Sequence, residues 1–225
     1  MATSGDETFK LEQVSVHEMY AFTKVSRANL ADSHFPLDQE LASGAAAAFA
    51  LLEGTEFITG NGVGCMLGLN SATNIPAANL VACADSSGHL VTTDDILKLV
   101  YKSMGAQYIA GGRLLLNPKM LGTLRALRAT SGNGYLAPVV DSPNTFLGIP
   151  VTLMPDLADN ATPAASNVVA YFLNPLAYAV VVRQDVVVQR AVEMYAEQGM
   201  VGFYLYTRTG GQLVLPEAVA RLTTA

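Results

Sequence analysis

Two periodicities follow one another along the first quarter of the chain, and each predicts a different element. Between Thr8 and Ser26 the β-formers Val14, Val16, Tyr20, Phe22 and Val25 are interleaved with Ser15, His17, Glu18 and Thr23, which predicts one arm of a long hairpin. An isolated two-stranded ribbon is marginal in water, so this arm is expected to need a support outside itself. The other arm would have to come from before Met1 or from a very short stub of Met1 to Asp6, so the chain is expected to begin inside the element. From Leu37 to Ile58 the period changes: Leu37, Leu41, Ala45, Ala48 and Leu52 recur every three or four residues with Phe49 beside them, while Gln39, Glu40, Glu53 and Glu56 fall elsewhere. Ser33 and Pro36 are placed as start signals for this helix, which at about 1.5 Å per residue runs to roughly 30 Å.

The helix ends in a glycine cluster, Gly60, Gly62, Gly64 and Gly68, with no second helix beginning at once. A phosphate-cradling loop sits between a strand and a helix N-terminus; glycines after a helix C-terminus instead supply positive φ and close backbone approach. These four positions are therefore predicted structural turns.

Mixed helix and strand follow. Thr92-Thr93-Asp94-Asp95 opens a helix to about Met104, with its carboxylates where the macrodipole favours them. Arg113 to Leu116 is a short strand, and Asn117-Pro118 starts a helix ending near Arg128. Ser131 to Gly134 is a turn, Gly148 to Leu153 a strand, and Asp156 to Ser166 a polar loop. Val168 to Leu173 and Tyr178 to Val182 are apolar enough to be central strands. Strands return at Val186 to Gln189 and Val201 to Thr207, followed by a predicted turn at Gly210-Gly211 and a strand from Gln212 to Leu215. No internal repeat interrupts this order, which reads as one interwoven unit.

Composition sharpens the class. Of the 225 residues 51% are apolar and 14% charged, and the mean hydropathy of +0.31 implies that much of the surface meets other chains. The longest uninterrupted apolar runs, Ala45 to Leu52 and Leu176 to Val182, fall short of the roughly 18–20 residues that span a bilayer, so no membrane is expected. Met1 to Glu7 has neither a basic region nor an apolar core, and Cys65 and Cys83 make no CxxC pair, which together point to reduced thiols in a cytoplasmic setting. A formal charge of −6 argues against gripping nucleic acid electrostatically, so nucleic acid near this chain is expected to be enclosed.

Catalytic readings are weak. Gly60 to Gly64 departs from GxGxxG and no strand precedes it, no GxxxxGK[ST] occurs, and Ser26, Ser33 and Ser43 lack a nucleophile-elbow context. His17, His34 and His89 lack metal-ligand spacing, so no metal and no cofactor is expected. Asp94 and Asp95 point about 100° apart on a helix and are better read as first-turn stabilisers. Lys98, Lys102, Arg113, Lys119, Arg125 and Arg128 form a modest basic concentration, either a solvated helix face or a surface for DNA or an acidic neighbour. Tyr204 and Tyr206 share one face of a strand with Phe203 on the other, a pattern cross-strand packing explains.

The order of these motifs, a long helix, Gly60 to Gly64 with Gly68-Leu69, Leu115-Leu116-Asn117-Pro118 before a helix, Phe146 to Val151, then Val201-Gly202-Phe203 and Gly210-Gly211, resembles the major capsid proteins of tailed phages with the Hong Kong 97-type fold over nearly the whole chain. The resemblance implies an α+β fold in three parts: an E-loop at 1–26, a peripheral domain at 27–68 and 186–211 with the spine helix at about 37–58, and an axial domain at 69–185 and 212–225. It implies a structural protein rather than an enzyme, self-assembling into pentamers and hexamers of an icosahedral head. That head would enclose double-stranded DNA without reading it, be built in the host cytoplasm, and have portal and scaffolding or protease proteins as partners. In such a shell the E-loop lies over a neighbouring subunit, which makes Phe9, Lys10, Val14, Val16 and Tyr20 the candidate inter-subunit contacts.

Two departures from the family pattern follow. The N-terminal arm and the first E-loop strand have no room before Thr8. Some members crosslink an E-loop lysine to an asparagine, and although Lys10 is suitably placed, Val188-Gln189-Arg190-Ala191 contains no asparagine, so no covalent crosslink is predicted. The alternatives are an encapsulin-like compartment shell and, in another class, a small cytoplasmic enzyme that binds a nucleotide through its glycine loop.

Overall fold

The strand predicted to need outside support finds most of it within the chain. In the computed structural model, which describes residues 11–34, 36–85, 90–126, 145–146, 148–159 and 166–224, the first strand is β1, His17–Ser26. There follow α1 (Arg27–Asp32), α2 (Leu37–Thr59), β2 (Leu80–Ala82), α3 (Thr93–Tyr101), α4 (Ala106–Ile109), β3 (Arg113–Leu116), α5 (Pro118–Ala126), β4 (Thr145–Phe146), β5 (Ile149–Leu153), β6 (Val168–Leu173), β7 (Tyr178–Ala191), β8 (Met200–Leu213) and β9 (Val219–Thr223). β1 pairs antiparallel with β8 from His17↔Thr209 to Ser26↔Met200, so of the predicted arm's described residues Leu11 to Val16 lie outside the ladder.

The strands form a three-stranded sheet in the order β1-β8-β7 and a six-stranded sheet in the order β2-β9-β6-β3-β5-β4. The central strands of the larger sheet, β3 and β6, are buried on both faces, which is why they read as unbroken apolar runs. Leu114 and Leu116 of β3 and Phe172 of β6 point to one cluster with Ile96, Leu99, Met120 and Leu124 from α3 and α5. Leu115, Tyr171 and Leu173 point to the other, with Ile58, Leu69, Leu213 and Val219. Each such side chain contributes about 1.5–3 kcal/mol of burial, so the three leucines of β3 alone anchor the strand.

A third cluster joins α2 to the small sheet. Phe49 packs with Met19, Met66, Val201, Phe203 and Leu205, and Leu41, Ala45 and Phe57 flank it. The helix bounds agree with the periodicity, but the inward stripe is Leu41, Ala45, Phe49 and Phe57, and the predicted Ala48 and Leu52 lie exposed. An alanine-rich helix is apolar on several sides, so its period alone does not choose among them. The start signals also differ: Ser33 closes α1, its amide donating to the Asn29 carbonyl at 3.0 Å, and Pro36 occupies the α2 N-cap without a side-chain bond.

Two further expectations are corrected. Tyr178 to Val182 is no central strand but the start of the edge strand β7, continuous with Val186 to Gln189 through irregularities between Val182 and Gln184 and between Gln184 and Val187. Gly210 and Gly211 make no turn; they lie inside β8, opposite Val181 and Val180. They are glycines because a Cβ at 210 would strike the Ser15 carbonyl and one at 211 would lie 2.6 Å from the Tyr178 hydroxyl. The predicted turn at Ser131 to Gly134, the end near Arg128, and most of the Asp156 to Ser166 loop lie outside the described residues.

Candidate assembly surfaces

The loop from Gly60 to Gly68 folds back on itself. Gly62 and Gly64 have φ of 78° and 70°, Asn61 bridges Leu67, and the Gly68 amide donates to the Gly60 carbonyl at 2.9 Å. A Cβ on Gly68 would lie 2.6 Å from the Gly60 nitrogen, so glycine is required there by close approach. The loop's amides are spent on protein acceptors: Gly62 on Met66, Val63 on the Asn61 side chain, Met66 on Glu56 and Leu67 on Gly211. A phosphate would have to compete for these four, which argues against the nucleotide-loop reading.

This loop also joins the two sheets. Tyr178 at the start of β7 donates its hydroxyl to the Leu67 carbonyl at 2.8 Å, and its ring meets Phe57 of α2 edge-on at 5.6 Å. Burial, reinforced by Glu56, pushes the Tyr178 phenol well above its ordinary value. Across the larger sheet, burial does the same to Tyr171, whose hydroxyl donates to the Asn70 side chain at 2.7 Å.

What remains uncovered is unusually apolar. Of the 23 residues of α2, only Phe49 and Ile58 are buried among the described side chains, while Leu51 is 74% exposed and Ala46, Ala47, Ala48, Ala50 and Leu52 are exposed too. Gln39–Thr59 is in fact long and apolar enough, by length and composition, to cross a membrane. Counting only uninterrupted apolar runs concealed this, because the few polar residues sit near the helix ends. On β7, Val180, Val182 and Val188 are exposed on the face that α2 covers elsewhere.

The opposite face of the small sheet carries an aromatic ladder. Tyr20 stacks on Tyr204 with ring centres 5.9 Å apart, Tyr204 meets Tyr206 at 5.4 Å, and the Tyr204 hydroxyl donates to Glu18 at 3.1 Å. Partial desolvation and that carboxylate raise the Tyr204 phenol. Phe203 and Leu205 are buried on the other face, so the alternation seen along the strand has the cross-strand packing origin expected of it.

Of the predicted contact residues, Tyr20 is 68% exposed on this ladder, Val14 and Val16 are half-buried in the extended segment before β1, and Phe9 and Lys10 lie outside the described residues. Asp95 is buried as the third residue of a capping box, accepting from the Thr92 amide at 3.1 Å and hydroxyl at 2.8 Å and from Lys98 at 3.2 Å. Lys119 pairs with Asp159 at 3.0 Å, so two members of the basic concentration serve internal contacts. The exposed edge of β7 was missed in the sequence, and its signal was the polar Arg183-Gln184-Asp185 between two valine runs.

Comparison with known proteins accords with this geometry. The chain belongs to the phage capsid family, whose model matches residues 1–224. The capsid of a native GTA particle superposes with a TM-score of 0.83 at 27% identity, covering 100% of this chain and 81% of that one. A structure from Microbacterium phage Oxtober96 gives a TM-score of 0.64 at 16% identity over 93% of this chain and 73% of the other. An encapsulin complex from Synechococcus elongatus shares the fold at a TM-score of 0.60 and 13% identity, over 94% and 74%. No curated protein sequence matches the chain. It is thus a bacteriophage-type capsid shell protein with the Hong Kong 97-like fold, a structural component of a virion.

Proposed function

We propose that this chain is the major capsid subunit of a tailed-phage head, forming pentamers and hexamers of an icosahedral shell around double-stranded DNA. The observation that carries this reading is α2: a helix whose apolar surface is largely exposed in one subunit needs a cover, and neighbouring subunits of a shell provide it. The same cover accounts for its bilayer-like composition without a membrane.

In this reading residues 1–26 act as an E-loop, 27–68 and 186–211 as the peripheral domain, and 69–185 and 212–225 as the axial domain. The pairing of β7 with β8 along its length favours moving the crossing between domains back to Ala177 and Tyr178. Phe9, Lys10, Val14, Val16 and Tyr20 meet the neighbouring subunit, DNA is enclosed without base contacts, and portal and scaffolding or protease proteins complete the head in the host cytoplasm. Catalysis plays no part.

Electron microscopy of the purified, concentrated protein tests the reading. Rings, sheets or closed particles are the expected result, and particles formed in cells should carry double-stranded DNA. Particles filled with a protein cargo instead would make the chain a compartment shell, and a protein that stays monomeric at all concentrations would defeat the assembly reading.

A further inference from the structure

The chain passes between the two sheets three times: after α2 through the glycine loop, from β6 to β7 at Ala177 and Tyr178, and from β8 to β9 at Val214 and Leu215. Three links tie these crossings to one another. The Leu67 amide donates to the Gly211 carbonyl at 3.1 Å, which joins the first crossing to the end of β8 and so to the third. The Val214 and Leu215 amides donate to the Ala177 carbonyl at 2.8 and 3.1 Å, which joins the third to the second. The Tyr178 hydroxyl donates to the Leu67 carbonyl at 2.8 Å and closes the triangle between the second and the first.

The first two links are made by backbone alone, whereas the last depends on one side chain. Leu67 is the shared corner, held at its amide by β8 and at its carbonyl by Tyr178. With two links the loop could swing about them; the third removes that freedom. Packing leaves little slack at the joint. A Cβ on Gly211 would lie 2.6 Å from the Tyr178 hydroxyl, and one on Gly68 would lie 2.6 Å from the Gly60 nitrogen. Tyr171 supplies a comparison, since its hydroxyl also donates to a single acceptor, the Asn70 side chain, at 2.7 Å. Both ends of that bond lie past the joint against the larger sheet, so it braces no crossing.

We infer that Tyr178 is a positioning residue: its hydroxyl fixes the angle between the small and the larger sheet, and through that angle the curvature at which subunits join. The inference rests on the proposed shell and adds what sets its size. Whether a repeated heterologous contact closes, and at what radius, depends on the rotation from one subunit to the next. Contacts made by both sheets of one subunit inherit the angle between those sheets, so a small swing at the joint is repeated at every contact.

Spin labels on the two sheets test this. In a Cys65→Ser background, with the buried Cys83 left in place, Leu153→Cys on β5 and Gln189→Cys on β7 are labelled in full-length subunits before assembly. Pulsed electron resonance then reads the distance between the labels. The parent joint should give one narrow distance. Tyr178→Phe keeps the ring against Phe57 and removes only the bond, so the population at other distances should grow about fivefold, the weight of one net hydrogen bond. Its particles should spread in diameter by electron microscopy where those of the parent share one, while Tyr171→Phe should keep both the parent distance and the parent diameter. A Tyr178→Phe chain that broadens and closes no particles supports the inference equally. Tyr178→Phe subunits with an unchanged distance distribution overturn it, whether or not they assemble, and leave the shell reading intact. Equal broadening in Tyr171→Phe also overturns it, because any lost phenol bond would then loosen the subunit. Tyr178→Phe particles of parent diameter overturn the link to curvature. A wild-type chain that forms no assembly overturns the shell reading and that link with it, while the label distances still decide the brace.

Discussion

The hydroxyl of Tyr178 occupies the space that a Cβ on Gly211 would need, 2.6 Å away, and the Phe57 ring lies 3.0 Å from the same point. One glycine thereby lets β8, the start of β7 and the end of α2 close on each other. Gly211→Ala is expected to displace Tyr178 from its bond to Leu67 and to cost about 1–3 kcal/mol, read as a lowered midpoint in denaturant unfolding. Gly44 provides the contrast, since a Cβ there meets nothing within 4 Å. Gly44→Ala should stabilise the isolated subunit by about 0.5–1 kcal/mol through helix propensity. An unchanged midpoint for Gly211→Ala would mean that the junction is not close-packed.

Alkaline pH should reveal the two desolvated phenols, Tyr171 fully buried and Tyr178 half-buried. Burial raises both Tyr171 and Tyr178, so in the folded state each keeps its proton at pH values where the unfolded chain has lost it. By linkage their contribution is complete below the unfolded phenol value of about 10 and is lost as pH rises from there toward the folded value. Thermal unfolding should therefore become steeply pH-dependent above about pH 10, and Tyr171→Phe with Tyr178→Phe should flatten that dependence. Phenolate absorbance gives the direct check: two of the nine tyrosines should titrate only with unfolding. Ionisation of all nine with the fold intact would contradict the assignment.

How far the fold could be read from the chain depends on how many environments fit each local pattern. β3 and β6 were placed residue for residue, because continuous apolar runs bounded by Asn117-Pro118 and Asn174-Pro175 admit few other structures. The same rule misplaced Tyr178 to Val182: valine-rich runs look alike whether another element of the chain covers them or they lie at an open edge. Gly210-Gly211 was read as a turn because close approach, the actual reason for two glycines, depends on Ser15 and Tyr178, which are distant in sequence. The outward face of α2 was illegible for a related reason. With alanine at positions 45 to 48 and 50, the stripe that packs on the sheet is chosen by Phe49 and Phe57 meeting the small sheet. Tyr20 reads as a β-former in the sequence, its place among the candidate contacts comes from the family resemblance, and its stacking with Tyr204 emerges only from the register that pairs β1 with β8.

The capping box at the start of α3 has a sharp energetic consequence. Asp95 is fully buried, and its Oδ2 accepts both the amide and the hydroxyl of Thr92 while Oδ1 meets Lys98. Asp95→Ala removes every one of these acceptors at once and leaves the Thr92 amide without one. A loss of about 2–4 kcal/mol is expected, above the usual value for a cap because the site is buried. Asp94→Ala, one residue earlier and exposed, should cost well under 1 kcal/mol through the helix dipole alone. Equal losses in chemical denaturation would show that the box is not what holds this helix start.

Leu51 separates assembly from folding. At 74% exposure it contributes little to the stability of one subunit, so Leu51→Lys should move the unfolding midpoint of the subunit by less than about 0.5 kcal/mol. In the proposed shell the same position lies under a neighbour, where an unpaired ammonium would have to be desolvated, at a cost of several kcal/mol per contact repeated throughout the shell. Particle yield by sedimentation should fall by at least tenfold while circular dichroism and unfolding of the subunit stay unchanged. Phe49→Ala is the converse control: Phe49 is buried against Met19 and Phe203 within one chain, so its truncation should cost about 3–5 kcal/mol in the subunit before any contact between copies is made. Normal particle yield with Leu51→Lys would place that face of α2 outside the contacts between subunits.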